Sequence, residues 1–294
     1  MTTANITPGQ QVKNYLSLIK FSHTVFALPF ALIGFFLAIY KFHYSFDWSI
    51  LVKVLMCMVF ARSAAMAFNR YIDRKFDAAN PRTAIREIPA GLITADSALW
   101  FVVINALLFI GTTWFINLLC FSLSPVALLV ILGYSFTKRF TPLCHLVLGV
   151  GLSLSPIGSF LAVSGKFELL PVLFSFGVMF WVSGFDIIYA LQDEDFDRGQ
   201  GLFSIPVWLG GKNALRLSEF LHLFCALSLF SAGFVGDFGM IYWLGYSIFI
   251  SLLVYQHSIV KPNDLSRVNL AFATTNGWAS VVFGILSVSD LFFR

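Results

Sequence analysis

The sequence predicts an all-α integral membrane protein, a bundle of nine transmembrane helices, and three observations carry that reading. Hydrophobic residues make up 58% and charged residues 12% of the 294, whereas a soluble domain carries about a quarter charged. Mean hydropathy is +0.82, and apolar runs follow one another from end to end, so the length reads as one bundle and not as two soluble domains. Lysine and arginine collect at one set of ends of those runs.

Residues 1–20 read as a short cytosolic segment with an interfacial helix through Val12–Lys20. They are mostly polar and the first apolar run is a full span, so no cleavable leader is expected. A crossing helix needs roughly 17–25 residues. Candidates lie near 24–41, 48–69, 97–117, 121–137, 143–163, 169–191, 213–235, 239–257 and 269–291. The apolar stretch 97–137 is too long for one helix, and Ser122, Ser124 and Pro125 mark the expected turn within it. With the N-terminus inside, the inner ends and loops carry Lys13, Lys20, Arg70, Arg74, Lys75, Arg82, Arg86, Lys138, Arg139, Arg198, Lys212, Arg216, Lys261 and Arg267. The outer side carries Lys41, Lys53, Lys166 and Arg294, and only Arg62 falls inside a span. The expected location is therefore the cytoplasmic membrane, multi-pass, with a cytosolic N-terminus. The net charge of +4 follows from this topology and needs no nucleic acid partner.

Two acidic stretches stand out. In Asn69-Arg-Tyr-Ile-Asp73-Arg-Lys-Phe-Asp77 the residues Asn69, Asp73 and Asp77 recur every fourth position and stack along one helix face. Tyr189, Asp193 and Asp197 repeat that spacing, with Asp186 one heptad before Asp193. Like charges so spaced destabilise a helix unless something positive lies between them. Carboxylates suit hard cations, and Mg²⁺ is usually held by one or two of them together with substrate phosphates. A solvated loop face is the bland alternative. The repeated spacing, and the position of Asp186 inside the sixth span, favour a site. Glu194 and Asp195 point off that face and read as surface charges.

The second and sixth spans end in these clusters, and each is followed by a basic residue and an Ile-Pro pair, Ile88-Pro89 and Ile205-Pro206. A parallel duplication of a four-helix unit gives that pattern, and so does chance similarity between two helix ends. Arg62 lies seven residues before Asn69, on the same face and ~10 Å deeper, where it could hold a substrate anion. Arg82 and Arg86, in a turn-rich loop, could reach a phosphate as planar forks. Lys138-Arg139 alone reads as ordinary topology. Cys57, Cys120, Cys144 and Cys225 have no paired spacing and read as buried thiols. His43, His145, His222 and His257 read as satisfied polar residues, and His23 opens the first span on the cytosolic side. Gly151, Ser155 and Ser159 form a packing stripe.

The spaced motifs, with Pro81-Arg82-Thr83 and Arg86 after the first, resemble the two signatures of the UbiA-type membrane aromatic prenyltransferases. The resemblance covers nearly the whole chain, 1–294, as one transmembrane prenyltransferase domain. It implies helices around a central cavity capped on the cytosolic side and two Mg²⁺ ions. Asn69, Asp73 and Asp77 would hold one ion, and Asp193 and Asp197 the other. The donor would be a polyprenyl diphosphate, bound with help from Arg82, Lys138 and Arg139. Arg62 and Tyr189 would line the cavity near the reacting groups, and Asp186 would order the site or the acceptor. The implied reaction is polyprenyl transfer to a small aromatic acid of the 4-hydroxybenzoate type in quinone biosynthesis, within membrane lipid. Two departures bear on the acceptor: Arg70 stands where many ubiquinone-pathway members have Asp, and the first span opens Lys20-Phe-Ser-His23. Both resemble a branch that includes enzymes acting on 1,4-dihydroxy-6-naphthoate for menaquinone. From another class, an ion-coupled transporter would also use Asp186 and Arg62, although transporter sites usually lie at the midplane. Oligomeric state is not read from the sequence.

Overall fold

The computed structural model describes residues 8–19 and 26–293. Among the described residues every regular element is helical: α1 (Pro8–Leu18), α2 (Leu28–Tyr40), α3 (Trp48–Ala79), α4 (Ala95–Trp114), α5 (Leu118–Thr137), α6 (Cys144–Ser164), α7 (Leu169–Ala190), α8 (Glu194–Gly199), α9 (Ile205–Leu209), α10 (Gly211–Val235), α11 (Met240–Ile259) and α12 (Asn276–Phe292). A 3-10 turn, Leu191–Asp193, joins α7 to α8, and a π-helical turn, Leu270–Thr275, leads into α12. Lys20 and His23 lie outside the described residues.

Among the described residues seven runs are long and apolar enough to cross a membrane: α3, α4, α5, α6, α7 with its extension to Gly199, α9 with α10, and the π turn with α12. The expected first span is represented by α2, apolar but 13 residues long. The expected eighth is α11, whose 20 residues include Tyr242, Tyr246, Tyr255, Gln256 and His257. Neither is both as long and as apolar as the other seven.

The turn in 97–137 lies earlier than expected. Helix α4 ends at Trp114, and the Asn117 side chain caps α5 by accepting from Cys120 N at 2.8 Å. Pro125 then sits inside α5. A proline there frees the carbonyl four residues back, and the Ser124 hydroxyl donates to that carbonyl, Phe121 O, at 2.8 Å. The local sequence thus repairs the break it introduces. Asn80, in extended conformation before Pro81, ends α3.

Close helix contacts need small residues, because lipid provides no hydrophobic drive between helices. A Cβ added at Gly149 of α6 would lie 2.5 Å from the Met179 carbonyl oxygen of α7, and one at Gly34 of α2 would lie 2.0 Å from the Pro156 carbonyl oxygen of α6. Beside this α2–α6–α7 seam, an aromatic core built on Phe30, Phe174, Trp181, Tyr242, Phe249 and Phe283 joins α2, α7, α11 and α12. The Trp181 indole donates to Asn276 Oδ1 at 2.9 Å, so its N–H is not buried unpaired. Buried Asp290 accepts from Gly239 N at 2.7 Å and Tyr242 N at 3.2 Å, satisfying donors at the start of α11. Helices α3, α5, α6 and α7 are left around a cavity.

Candidate active site

That cavity has a volume of about 940 Å³. Its deep walls are apolar, with Val54, Ile116, Leu154 and Phe167, and its mouth is charged where α3 and α7 end. Arg62, Asn69, Asp73, Asp77, Arg82, Lys138, Arg139, Asp186, Tyr189, Asp193 and Asp197 all line it. Glu194 does not, and instead accepts from Arg198 Nη2 at 2.9 Å across one helical turn.

The first cluster lies on one uninterrupted face of α3, as the four-residue spacing requires. Asn69 Nδ2 donates to Asp73 Oδ2 at 3.0 Å. Arg139 Nη2 donates to Asp73 Oδ1 at 3.1 Å and to the Ile72 carbonyl at 3.0 Å. Arg86 Nη1 lies 2.6 Å from Asp77 Oδ1, while Asp77 Oδ2 is buried with no hydrogen-bond partner among the described residues. The second cluster departs from expectation. Helix α7 stops at Ala190, and the 3-10 turn separates Tyr189 from Asp193 and Asp197, so these three do not share one helix face. The N–H of Leu191 is shared between Ile188 O and Tyr189 O, which tightens the chain into that turn.

Long-range contacts bring the clusters together. Asn80 Nδ2, immediately after α3, donates to Asp193 Oδ1 at 3.1 Å. Arg82 grips the same carboxylate as a fork, with Nε 3.0 Å from Oδ1 and Nη2 on Oδ2, and its Nη1 donates to the Tyr189 hydroxyl at 3.1 Å. Lys138 Nζ lies 2.7 Å from Asp197 Oδ2. Consecutive residues at the end of α5 therefore hold one acid from each cluster, Lys138 the second and Arg139 the first. Burial works against the Lys138 ammonium, but the neighbouring Asp197 carboxylate outweighs it and raises its pKa above the ordinary lysine value.

The donors at the mouth are carboxylate and amide oxygens, the hard ligands Mg²⁺ prefers. Among the described residues no three His, Cys, Asp or Glu side chains gather into a closed metal cage. Such a set suits ions whose remaining positions go to phosphate oxygens, and the partnerless Asp77 Oδ2 is a free acceptor for one. The residues fit a divalent cation shared with an anionic substrate.

Deeper in, Arg62 Nε is buried and makes no hydrogen bond among the described residues. Other cavity residues went unflagged by spacing. His145 Nδ1 lies 2.7 Å from Asp186 Oδ2. Arg70 is buried, and Glu87 is buried with Oε1 accepting from the Ser17 hydroxyl at 2.5 Å. His145 and Asp186 are separated by 41 residues, and no local pattern links them.

Residues 27–281 match the model of the UbiA prenyltransferase family. The chain is 31% identical over 236 residues to the 4-hydroxybenzoate octaprenyltransferase of Aeromonas salmonicida, covering 80% of this chain and 81% of that one. It is 28% identical over 249 residues to the enzyme of the same name from Shewanella oneidensis, covering 84% and 86%. The apo structure of a UbiA homologue from Aeropyrum pernix superposes with a TM-score of 0.83 at 31% identity, covering 91% of this chain and 98% of that one. A UbiA homologue from Archaeoglobus fulgidus, bound to GPP and Mg²⁺, shares the fold with a TM-score of 0.73 at 19% identity, covering 95% and 99%. With two acid-bearing helix ends at one mouth of an apolar cavity and a family match across most of its length, the chain is an integral membrane enzyme belonging to the UbiA prenyltransferase family.

Proposed function

We propose that this enzyme transfers a polyprenyl group from a polyprenyl diphosphate to the ring of a 4-hydroxybenzoate-type aromatic acid in respiratory quinone biosynthesis, using two Mg²⁺ ions. The observation that carries the proposal is the pair Lys138 and Arg139, each engaging one acid cluster across the mouth of an otherwise apolar cavity. The names of the two bacterial relatives support the acceptor, and the GPP and Mg²⁺ of the Archaeoglobus homologue support the donor class and the metal.

In this reading Asn69, Asp73 and Asp77 hold one ion, and Asp193 and Asp197 the other. When bound, the ions neutralise the diphosphate. Arg82, Lys138 and Arg139 stand at the same mouth on flexible stems and exchange carboxylate for diphosphate oxygens. As the allylic C–O bond breaks, its electron pair leaves on the diphosphate, and these cations favour that growing charge over the ground state. The electron-rich ring attacks the allylic carbon, and the ring proton passes to a base. The apolar walls keep out water that would quench the cation and accept the prenyl chain. Arg62, with its unused Nε, takes the acceptor carboxylate, and Tyr189 and Asp186 border the reacting groups.

The topology completes the proposal: one transmembrane domain with α2 and α11 as first and eighth of nine spans, and mouth and N-terminus on the cytosolic side of the cytoplasmic membrane. A parallel four-helix repeat would pair α3 with α7 as the helices that carry the two acid clusters. Membranes containing the protein, given a radiolabelled polyprenyl diphosphate, should label 4-hydroxybenzoate only with Mg²⁺ and lose the label on chelation. Transfer to 1,4-dihydroxy-6-naphthoate in its place would move the acceptor to the menaquinone branch. No metal-dependent transfer to either would overturn the proposal.

A further inference from the structure

We infer that His145 is a positioning residue for the transfer, holding Asp186 as the base that removes the ring proton; the inference rests on the aromatic-transfer reading above. His145 stands in the first turn of α6, its side chain 4% exposed. One ring nitrogen, Nδ1, lies 2.7 Å from Asp186 Oδ2. The other, Nε2, accepts from the backbone N–H of Ile205 at 3.4 Å. An N–H cannot donate to a protonated nitrogen, so Nε2 carries the lone pair and Nδ1 the proton. The ring is therefore the neutral tautomer that donates to Asp186.

This sets Asp186 apart from the other aspartates of the cavity. Asp73, Asp77, Asp193 and Asp197 are each engaged by an arginine or lysine. Asp186 alone is held by a neutral group, which orients Oδ2 without cancelling the charge. Its side chain is 23% exposed and lines the cavity, and Oδ1 accepts no hydrogen bond among the described residues. Asp186 precedes Asp193 by the same heptad that separates Arg62 from Asn69. Along unbroken α3 this puts Arg62 ~10 Å inward of Asn69, while Asp186 lies in the last turn of α7, before the 3-10 turn. Both line the cavity, which suits an acceptor ring whose carboxylate meets Arg62.

The step balances as follows. The ring carbon bonds to the allylic carbon while the C–O pair departs on the diphosphate. The C–H electrons of the resulting arenium return to the ring, and its proton goes to Asp186 Oδ1. The proton leaves to water at the mouth once the product has gone. His145 neither gains nor loses a proton. It is anchored in turn by the segment after the second cluster, where Phe203 N donates to Lys138 O at 2.7 Å.

The test uses the full-length enzyme in membranes, with 4-hydroxybenzoate deuterated at the positions ortho to the hydroxyl. In the wild type, with an oriented base in place, breaking the C–O bond should limit the rate and deuterium should have no effect. His145→Ala should lower kcat about a hundredfold, as expected for loss of an oriented base, leave the KM for the diphosphate unchanged, and reveal a primary isotope effect. His145→Asn, whose amide N–H replaces Nδ1–H, should restore most of the rate and suppress that effect. Wild-type activity in His145→Ala, or a loss with no isotope effect and no rescue by Asn, would overturn the inference and leave aromatic transfer standing. If His145→Ala does not fold, the decision passes to Asp186→Asn, for which a wild-type rate overturns it. A wild-type enzyme that prenylates neither 4-hydroxybenzoate nor 1,4-dihydroxy-6-naphthoate would overturn the aromatic-transfer reading, and this inference with it.

Discussion

At the scale of single residues, the site alternates anions with cations, and the structure explains how acids at helical spacing are tolerated. Arg139 meets Asp73, Arg86 meets Asp77, Arg82 meets Asp193 and Lys138 meets Asp197. The Asp197 side chain is only 1% exposed, while that of Lys138 is 33% exposed. Removing one partner of a buried pair costs ~3–5 kcal/mol, and the partial exposure of Lys138 reduces this to roughly 2 kcal/mol. Lys138→Met should therefore lower the unfolding temperature in detergent, and adding Asp197→Asn should recover much of the loss. Strict additivity of the two changes would show that the pair is not coupled. The spacing of Asn69, Asp73 and Asp77 was legible as chemistry because it is local. The cation facing each acid was not, because Arg82 lies 111 residues from Asp193.

Among the elements, the seam of α6 against α7 matters most, since it carries His145 opposite Asp186. Gly149, one turn after His145, sets the separation of the two helices. A Cβ there meets the Met179 carbonyl and the Ser183 hydroxyl, and the carbonyl belongs to a helix backbone that cannot swing aside. Gly149→Val should cost ~1–3 kcal/mol by overpacking and lower transfer activity by displacing His145 from Asp186. Thermal unfolding and turnover measured on the same preparation would check this, and a variant of full stability and activity would contradict it. Element boundaries show where sequence reading fails. Pro125 suggested a turn that Asn117 makes instead, because a capping side chain starts α5 earlier and Ser124 takes up the freed carbonyl. The 3-10 turn after α7 carried no proline or glycine signal.

For the molecule as a whole, the acid clusters share one end of the cavity, and basic residues crowd that same end. Anionic diphosphate should therefore enter from one side only. In sealed inverted vesicles, added polyprenyl diphosphate should yield product, and in right-side-out vesicles it should not until they are permeabilised. The reverse result would invert the proposed topology. Membrane character, the acid-bearing face of α3 and the excess of basic residues at one set of ends were all present in the linear chain. Bilayer partitioning acts on each segment separately, through its own hydropathy and flanking charge. The convergence of the two acid clusters on Lys138 and Arg139, the bend that carries Asp193 and Asp197 to the mouth, and the meeting of His145 with Asp186 arose only when the helices packed. Apolar helix surfaces look alike to the lipid, so the choice of neighbour rests on close steric fits such as Gly149 on α7, which no single segment encodes alone.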